Sequence, residues 1–151
     1  MDRHFTATIY LLHQGKVLLH FHEKIRRWLP PGGHVEPNET PPEAAIREAK
    51  EESGLDVAIF KEERFWLNFP NAASFERPYL CLLEEIPAHG NVNAHQHMDM
   101  VYLGHPVENP IPTDLPNGFQ WFGPEELLLI EKELFPDTRE ILAALLETIP
   151  K

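Results

Sequence analysis

The chain has 151 residues, of which 42% are hydrophobic and 25% are charged, a composition typical of globular domains. It excludes a disordered chain, a coiled coil and a collagen-like fibre, and the length suits one domain over residues 1–151 with its own core. Lys and Arg number 13 against 24 Asp and Glu, for a net charge of −11. Bulk electrostatics therefore disfavours binding to long nucleic acids or anionic membranes. A polyphosphate ligand would need a divalent cation held by some of these carboxylates.

The single cysteine, Cys81, excludes an intramolecular disulfide and favours a reducing compartment. It lies in the apolar run Tyr79–Leu83, so we expect it to be buried in the core. No apolar stretch approaches about 18 residues, and the N-terminus lacks the apolar block of a signal peptide. We therefore expect a cytoplasmic protein without a membrane span.

The first part of the chain predicts a hairpin followed by loops. Two β-forming stretches, Phe5–Leu12 and Lys16–Phe21, flank residues 14–15, which read Gln-Gly, a spacing typical of a β-hairpin. Residues 23–28 are largely charged and residues 30–33 read Pro-Pro-Gly-Gly. We expect loops in both places.

A helix is predicted from Thr40 to about Ser53. Thr40 suits the N-cap, Pro41 suits the first helical position, and Glu43 completes a capping box. Gly54 supplies the left-handed residue that commonly ends a helix.

The remainder of the chain predicts strands and then helices. Strands are predicted at Asp56–Phe60, Phe65–Phe69, Phe75–Glu85, His97–Leu103 and Phe119–Phe122. A helix opens at Pro124 and another covers Thr138–Thr148. This order favours a mixed sheet packed between helices. We expect most large aromatic residues in the core, with one free to stack on a base: Trp28, Phe65, Trp66, Phe69, Phe75 and Trp121.

The helix that begins at Thr40 has two different faces. At about 100° per residue, Glu48, Glu51 and Glu52 fall within roughly one third of its circumference, with Arg47 at the edge. Another face consists of small or apolar residues suited to packing on a sheet: Ala45, Ile46, Ala49 and Ser53.

The glutamates of this helix repel one another by about 0.2–0.5 kcal/mol per pair when exposed. On an isolated helix they would form a solvated acidic face. A bound cation would remove the repulsion, and oxygen ligands favour Mg²⁺, Mn²⁺ or Ca²⁺ over Zn²⁺. Mg²⁺ held by carboxylates and substrate phosphates is common where phosphates are processed.

The spacing of these residues extends into a longer motif. Gly33, five residues, Glu39, seven residues and then residues 47–55 (Arg-Glu-Ala-Lys-Glu-Glu-Ser-Gly-Leu) resemble the Nudix box at every charged and glycine position. Ala49 departs from the larger aliphatic residue that the family prefers, which affects packing more than chemistry. On these residues the chain is identified as a member of the Nudix (MutT-like) hydrolase family. The resemblance implies an α+β fold, an α/β/α sandwich with a mixed β-sheet.

The resemblance also implies a metal site. Glu48, Glu51 and Glu52 match the family's metal ligands, and the carbonyl of Gly32 matches a backbone oxygen that often completes the site. The implied reaction is Mg²⁺-dependent hydrolysis, with Mn²⁺ as an alternative ion, of the diphosphate linkage in a nucleoside diphosphate joined to another group. A nucleoside monophosphate is released.

The remaining box residues have supporting or catalytic roles by the same resemblance. Glu39 and Arg47 match residues that support and orient the carboxylates. Gly33 permits the tight loop that enters the box, and Gly54 ends the helix. A free carboxylate can accept the proton of an activated water, and Glu52 is our first candidate for a ligand that also takes part in the chemistry, with Glu51 beside it.

The candidates for a general base or a further metal ligand outside the box are Asp99, Asp114 and Glu125. If residues 95–102 form a strand, His95, His97 and Asp99 share one face. This face is either a polar surface that lines the cleft, or a site at which His97 and Asp99 contact the substrate or relay a proton. Two histidines without cysteines are a weak zinc signal. Glu125 has a structural alternative, because the helix dipole favours acidic residues in a first turn.

The substrate class is indicated by few residues. Relatives that cleave ADP-ribose often carry a proline about fifteen residues past the box, where Pro70 stands. The tyrosine expected nearby in relatives that cleave dinucleoside polyphosphates is absent, since residues 71–73 read Asn-Ala-Ala. We therefore expect a small nucleotide substrate, either a nucleoside triphosphate or an ADP-ribose-like compound.

Two other functions are weighed. A non-catalytic nucleotide sensor on this fold usually loses glutamates from the box, whereas this chain keeps them all. An isomerase of isoprenoid diphosphates typically uses a cysteine early in the fold, whereas Cys81 follows the box. Dimers are common in the family, so a homodimer is one expected assembly, although the residues themselves do not specify it.

Overall fold

The computed structural model describes residues 1–62 and 64–148. The strands are β1 (Arg3–His13), β2 (Lys16–His22), β3 (Arg27–Leu29), β4 (Gly32–His34), β5 (Val57–Ile59), β6 (Asn68–Phe69), β7 (Ala72–Ala73), β8 (Leu80–Ile86), β9 (His95–Pro106) and β10 (Phe119–Phe122). The helices are α1 (Pro41–Ser53), α2 (Pro124–Leu129) and α3 (Pro136–Thr148), with a short 3-10 turn at Glu131–Glu133.

Eight strands of the described residues form one sheet whose central pair is parallel. β1 and β9 pair in parallel from Arg3 opposite Gln96 to Leu11 opposite Gly104, and the other pairs of the sheet are antiparallel. The main path runs β10-β2-β1-β9-β5, with β3 beside β2, β4 beside β1 and β8 beside β9. The predicted mixed sheet is therefore confirmed.

Helices cover the two sides of this sheet. Consecutive residues of a strand point to opposite sides, so Ala7 packs in one core with Ala49 of α1. Tyr10 packs in the other core with Leu127 of α2 and Ile141 of α3. We call these sides the α1 face and the α3 face. The arrangement confirms an α/β/α sandwich.

Two strands lie where the sequence predicts loops. Arg27–Leu29 pairs with β2, and Gly32–His34 pairs with β1. Strands of three residues are too short for an alternating pattern to reveal them. Gly32 fits this position because a Cβ there would lie 2.6 Å from the carbonyl oxygen of Ala7.

The segment between β5 and β8 has less strand structure than predicted. Of the predicted strand Phe65–Phe69 only Asn68–Phe69 pairs, with β7. The strand predicted from Phe75 begins at Leu80, after Pro78, whose missing N–H cannot contribute to a ladder.

The aromatic residues of this segment are not in the core, contrary to the prediction. The exposed side chains are Phe65, Trp66, Phe69 and Phe75. Trp121 packs at the edge of the α1-face core and Trp28 at the edge of the α3-face core. The prediction rested on the rule that large apolar residues are normally buried. It failed because this segment lies outside both cores.

Cys81 is exposed, so the prediction of a buried cysteine is wrong. It lies on β8, which among the described residues pairs only with β9 and whose residues alternate between half-buried and exposed. The apolar run around Cys81 therefore belongs to an edge strand that is covered on one side.

Residues 149–151 fall outside the described part of the chain, so one domain over residues 1–151 stays a prediction. Among the described helices, none combines the length and apolar character needed to cross a bilayer.

The α3 face carries a pair of carboxylates between β8 and β9. Asp99 is buried, and it accepts hydrogen bonds from the hydroxyls of Thr6 at 3.0 Å and Thr8 at 2.9 Å. Burial raises the pKa of Glu84 well above its ordinary value, and the charges of Asp99 and, to a smaller extent, Asp137 raise it further. The folded chain therefore holds a proton on Glu84 more tightly than the unfolded chain does.

We predict that the metal-free protein loses stability as the pH rises through the neutral range. A carboxyl group with a raised pKa favours the folded state at low pH, and this contribution disappears as the group ionises. Thermal unfolding followed from about pH 7 to about pH 9, above the range in which an unfolded chain protonates its histidines, should show a falling melting temperature in the presence of a chelator. Glu84→Gln should flatten this dependence, whereas Glu85→Gln, an exposed neighbour, should not. Equal slopes in the two variants would contradict the assignment to Glu84.

Candidate active site

The ends of α1 are set by the local signals that predicted them. The Thr40 hydroxyl accepts the N–H of Glu43 at 3.4 Å, and the Glu43 carboxylate accepts the N–H of Thr40 at 2.8 Å. Gly54 has a φ of 80° and donates its N–H to the carbonyl of Lys50 at 2.9 Å. The predicted helix is therefore confirmed at both ends, and its glutamates lie beside β4.

Arg47 brings three of the predicted site residues together. Its Nη1 donates to Glu48 at 2.9 Å and to Glu51 at 3.2 Å, while its Nη2 donates to Glu39 at 2.7 Å. Nη2 also donates to the carbonyl of His34 at 3.0 Å. The hydrogen bond between Arg47 and Glu39 raises the pKa of the guanidinium and lowers the pKa of the carboxyl group. A planar guanidinium suits this role because its five donors point in fixed directions.

Glu52 lies against β4 and β2. Its Oε1 accepts the N–H of Gly32 at 2.9 Å, and its Oε2 is 3.6 Å from Nε2 of His20. Burial raises the pKa of Glu52 to about 7, the hydrogen bond from Gly32 opposes this rise, and the charges of Glu48 and Glu51 add to it. The surroundings of Glu52 in the metal-free chain therefore favour its protonated form more than those of an exposed glutamate do.

His20 is a neighbour of Glu52 that the sequence analysis missed. Its ring stacks on Phe119 with a centroid separation of 4.9 Å. Burial, together with His22, lowers the pKa of His20, so the imidazole is neutral at neutral pH. The available signal was the alternation of β2, which places His20 on the same side as Leu18, a residue of the α1-face core.

Gly33 lets the backbone of β4 approach the carboxylate of Glu48. A Cβ on Gly33 would lie 2.4 Å from Oε1 of Glu48, which is closer than real Cβ contacts. Glycine is favoured here by this close approach and not by its backbone conformation, since its φ lies outside the left-handed region. The sequence analysis named the right residue and attributed it to a tight loop instead.

The arrangement fits a hard divalent cation. The guanidinium of Arg47 pairs with the carboxylates of Glu39, Glu48 and Glu51, and the carboxylate of Glu52 lies close enough to Glu48 and Glu51 to feel their charges, which leaves an excess of negative charge. The side-chain donors are all oxygen atoms, the ligand type that suits Mg²⁺ and Mn²⁺. The carboxylate of Glu48 lies where a Cβ on residue 33 would stand. The absence of that Cβ lets the carboxylate lie close to the backbone of β4.

A cavity of about 960 Å³ opens beside the start of α1. Its wall includes side chains from four strands, from α1 and from the segments before α1 and β8, among them Glu39, Pro41, Phe75, Met100, Tyr102, His4 and His34. A volume of this size accommodates a small organic ligand. The cavity therefore places apolar and aromatic side chains next to the carboxylate that pairs with Arg47.

His97 and Asp99 share one side of β9, as the sequence analysis expected for a strand. Asp99 is two residues from Val101, which packs in the α3-face core, so both point away from α1. The structure does not bring His97 and Asp99 to the glutamates of α1. A substrate contact or a relay role for these two residues stays a prediction. Burial lowers the pKa of His97 to about 4, and the neighbouring imidazoles, first His34, then His95 and His4, lower it further.

The other two candidates for a base lie on the surface. Asp114 is exposed between β9 and β10. Glu125 is exposed in the first turn of α2 and borders a smaller cavity with Gln14 and Lys16 of the β1–β2 turn. Within the described residues, neither is hydrogen-bonded to the α1 glutamates, and their roles also stay predictions.

Comparison with known proteins agrees with this geometry. The NUDIX domain family profile matches residues 2–145. The asymmetrical bis(5'-nucleosyl)-tetraphosphatase of Sus scrofa is 38% identical over 65 residues, which are 41% of this chain and 42% of the pig protein. Its Mus musculus counterpart is 43% identical over 42 residues, 28% of this chain and 29% of the mouse protein. The chain thus matches well under half the length of these curated relatives.

Solved structures share the whole fold. A NUDIX family hydrolase from Clostridium perfringens superposes with a TM-score of 0.72 at 25% identity, covering 99% of this chain and 100% of that one. The C. elegans Ap4A hydrolase superposes with a TM-score of 0.55 at 24% identity, covering 95% and 94%, a similarity of fold alone. With the motif residues gathered on α1 and β4, and with a family match over residues 2–145, this chain belongs to the NUDIX family.

Proposed function

We propose that this chain is a metal-dependent hydrolase of small nucleotides. Water cleaves the diphosphate linkage of a nucleoside diphosphate joined to another group, and the products are a nucleoside monophosphate and the remainder of the substrate. The observation that carries this proposal is the gathering of Glu39, Glu48 and Glu51 around Arg47, with Glu52 held at the backbone of Gly32.

Glu48, Glu51 and Glu52 are the side chains that would hold Mg²⁺, with Mn²⁺ as the alternative ion and the carbonyl of Gly32 as a further ligand. A bound ion of this kind neutralises phosphate oxygens and lowers the pKa of a coordinated water. Because the chain carries a net charge of −11, a polyphosphate would otherwise be repelled. The hydrogen bond from the N–H of Gly32 to Glu52 supports Gly32 as a further ligand, because it places the backbone of β4 beside this carboxylate.

Glu52 is the proposed acceptor of the proton that the attacking water loses. Its Oε1 accepts the N–H of Gly32, and its Oε2 is the oxygen without a backbone hydrogen bond. Without a cation, burial raises the pKa of Glu52 to about 7; a bound cation would lower this pKa, so that Glu52 is ionised and able to accept a proton at neutral pH. Glu51 is the alternative acceptor, since its side chain is 58% exposed, whereas that of Glu48 is 17% exposed. Arg47 and Glu39 act as positioning residues, because they hold Glu48 and Glu51 in place.

The substrate proposed from the sequence is a nucleoside triphosphate or an ADP-ribose-like compound. The cavity beside α1 supports a nucleotide, because its wall combines Phe75, which is 49% exposed, with Met100 and Tyr102. An exposed aromatic ring is able to stack on a base, and such stacking contributes about 1–3 kcal/mol per base in nucleic-acid complexes.

A dinucleoside tetraphosphate is the second candidate substrate. The observation that favours it is the similarity to the asymmetrical bis(5'-nucleosyl)-tetraphosphatases of pig and mouse. The Asn-Ala-Ala sequence at residues 71–73 argues the other way, because the tyrosine expected in that class is absent. The bond that is cut distinguishes the candidates, since each substrate gives different products.

A mass-spectrometric screen tests the proposal. The purified protein is incubated with nucleoside triphosphates, ADP-ribose, nucleotide sugars and dinucleoside polyphosphates, each with Mg²⁺ and with a chelator. We expect cleavage that requires the metal, with one oxygen of labelled water incorporated into one product. Binding of a nucleotide without cleavage of any compound would favour the nucleotide sensor instead.

Glu52→Gln should lower turnover by about 10²–10⁴-fold, the usual contribution of a general base, while thermal unfolding shows an intact fold. The matched control is Glu140→Gln on α3, an exposed position that should keep wild-type turnover. Near-normal turnover of the Glu52 variant would remove this residue from the mechanism.

Gly33→Ala should weaken the metal dependence more than the fold. The added Cβ would collide with the carboxylate of Glu48, which is the end of a flexible side chain and is able to move away. We expect the Mg²⁺ concentration for half-maximal activity to rise by about 10–100-fold, as for other changes that misplace a ligand, with a small change in melting temperature. An unchanged Mg²⁺ dependence would show that Glu48 does not bind the ion.

Arg47→Lys tests the positioning role of the guanidinium. A lysine ammonium keeps the charge but cannot reach Glu39, Glu48 and Glu51 with fixed donors. We expect kcat to fall by about 10–100-fold with a smaller change in KM, since Arg47 is not proposed to touch the substrate. A variant with wild-type kcat would show that charge alone suffices.

A further inference from the structure

Four of the nine histidines converge on the α3 face. His4 lies on β1, His34 on β4, and His95 and His97 on β9. Their ring centroids are 4.8 Å apart for His4 and His95, 5.0 Å for His34 and His97, and 5.0 Å for His95 and His97. We call these four residues the histidine cluster. The fold gathers them from three neighbouring strands.

The nitrogen atoms of the histidine cluster are close enough to share one ion. One ring nitrogen from each of His4, His34 and His97 lies within 4.8 Å of the others. The Nε2 atoms of His95 and His97 are hydrogen-bonded at 3.1 Å. An ion that displaces the shared proton would need a spacing of about 3.4 Å, which follows from Zn–N bonds of about 2.0–2.1 Å in a tetrahedral site. His4 and His34 are exposed, so their rings are free to close the remaining distance.

One neighbouring group orients a half-buried ring of the cluster. The carboxyl group of Glu84 is 4.0 Å from Nδ1 of His97, beyond hydrogen-bond distance. Nδ1 of His95 is 2.9 Å from the carbonyl oxygen of Asn93; when Nδ1 donates there, the lone pair of Nε2 is directed into the cluster. Metal-binding histidines are commonly held by a carboxylate or carbonyl in this way.

The histidine cluster borders the cavity beside α1 through His4 and His34, but its ring nitrogens lie on the side of the sheet away from the glutamates of α1. Gly33 faces Glu48 on α1, and because neighbouring residues of a strand point to opposite sides, His34 points to the α3 face. The two sets also differ in chemistry. Imidazole nitrogens suit Zn²⁺ and other late first-row ions, whereas carboxylates suit Mg²⁺ and Mn²⁺.

We infer that His4, His34 and His97, with His95 as a fourth ligand, form a binding site for a zinc-like divalent ion that is distinct from the carboxylate site of α1. A bound ion would tie β1, β4 and β9 together at the end of the sheet where β1 begins. This inference does not rest on the proposed hydrolase reaction, because the ion would act on the stability of the sheet.

Cobalt provides a direct probe of this site. Four-coordinate Co²⁺ with nitrogen ligands absorbs visible light intensely, whereas Co²⁺ surrounded by six oxygen ligands absorbs weakly. The full chain, freed of metals by chelation, is titrated with Co²⁺ in the presence of excess Mg²⁺, which competes for the carboxylates. We expect an intense visible band that saturates at one ion per chain and is bleached by one equivalent of Zn²⁺.

The variant His4→Gln with His34→Gln removes two ligands at exposed positions, so its fold should be retained. We expect its affinity for Co²⁺ to fall by more than about 100-fold, beyond the 10–100-fold loss typical of changes outside the ligands. The matched control, His89→Gln with His105→Gln, should bind like the wild type. Zn²⁺ should raise the melting temperature of the wild type and the control but not that of the His4 and His34 variant.

Three results would overturn the inference. These are the absence of an intense band in the wild type, a band that survives the loss of His4 and His34, and a band that excess Mg²⁺ or the Glu52→Gln change abolishes. The last of these would assign the ion to the carboxylates of α1. Because the readouts are absorption and melting temperature, a protein without hydrolase activity would still give a decisive result.

Discussion

The contact of one guanidinium with three carboxylates is the interaction on which the rest of the candidate site depends. Arg47 links Glu48 and Glu51 on its own helix to Glu39 in the segment before that helix. Like charges on one flank of α1 would repel one another, and a carboxylate left half-buried without a partner is costly. The fork of Arg47 offsets both effects and fixes the carboxylates before any metal or substrate binds.

The backbone of β4 provides the complementary surface. The N–H of Gly32 donates to Glu52, and the missing Cβ of Gly33 lets Glu48 pack where a Cβ would collide. The carbonyl of His34 accepts a hydrogen bond from Arg47 on one side of the strand, while its imidazole joins the histidine cluster on the other. Three residues of backbone therefore serve two groups of polar side chains with different chemical preferences.

Much of the candidate site could be predicted because α1 is specified locally. The capping box, Gly54 and the spacing of Glu48, Glu51 and Glu52 are all features of adjacent residues. β3 and β4 escaped prediction because they are strands only through pairing with β2 and β1. The proximity of His20 to Glu52 and the meeting of His4 with His97 depend on the sheet, which joins residues far apart in sequence. Strand alternation grouped His97 with Asp99 correctly, but which side faces α1 is decided only by the packing of the helices.

The parallel pairing of β1 with β9 has a consequence for how the chain folds. Contacts such as that of Arg3 with Gln96 join residues 93 positions apart, so the middle of the sheet cannot close until about two thirds of the chain is available. Non-local contacts of this kind slow folding, since a long loop must be ordered first. During synthesis, the helix that carries the glutamates emerges well before the strand that completes its support. Until β9 arrives, the edge of β1 that β9 will cover is open to association with other chains.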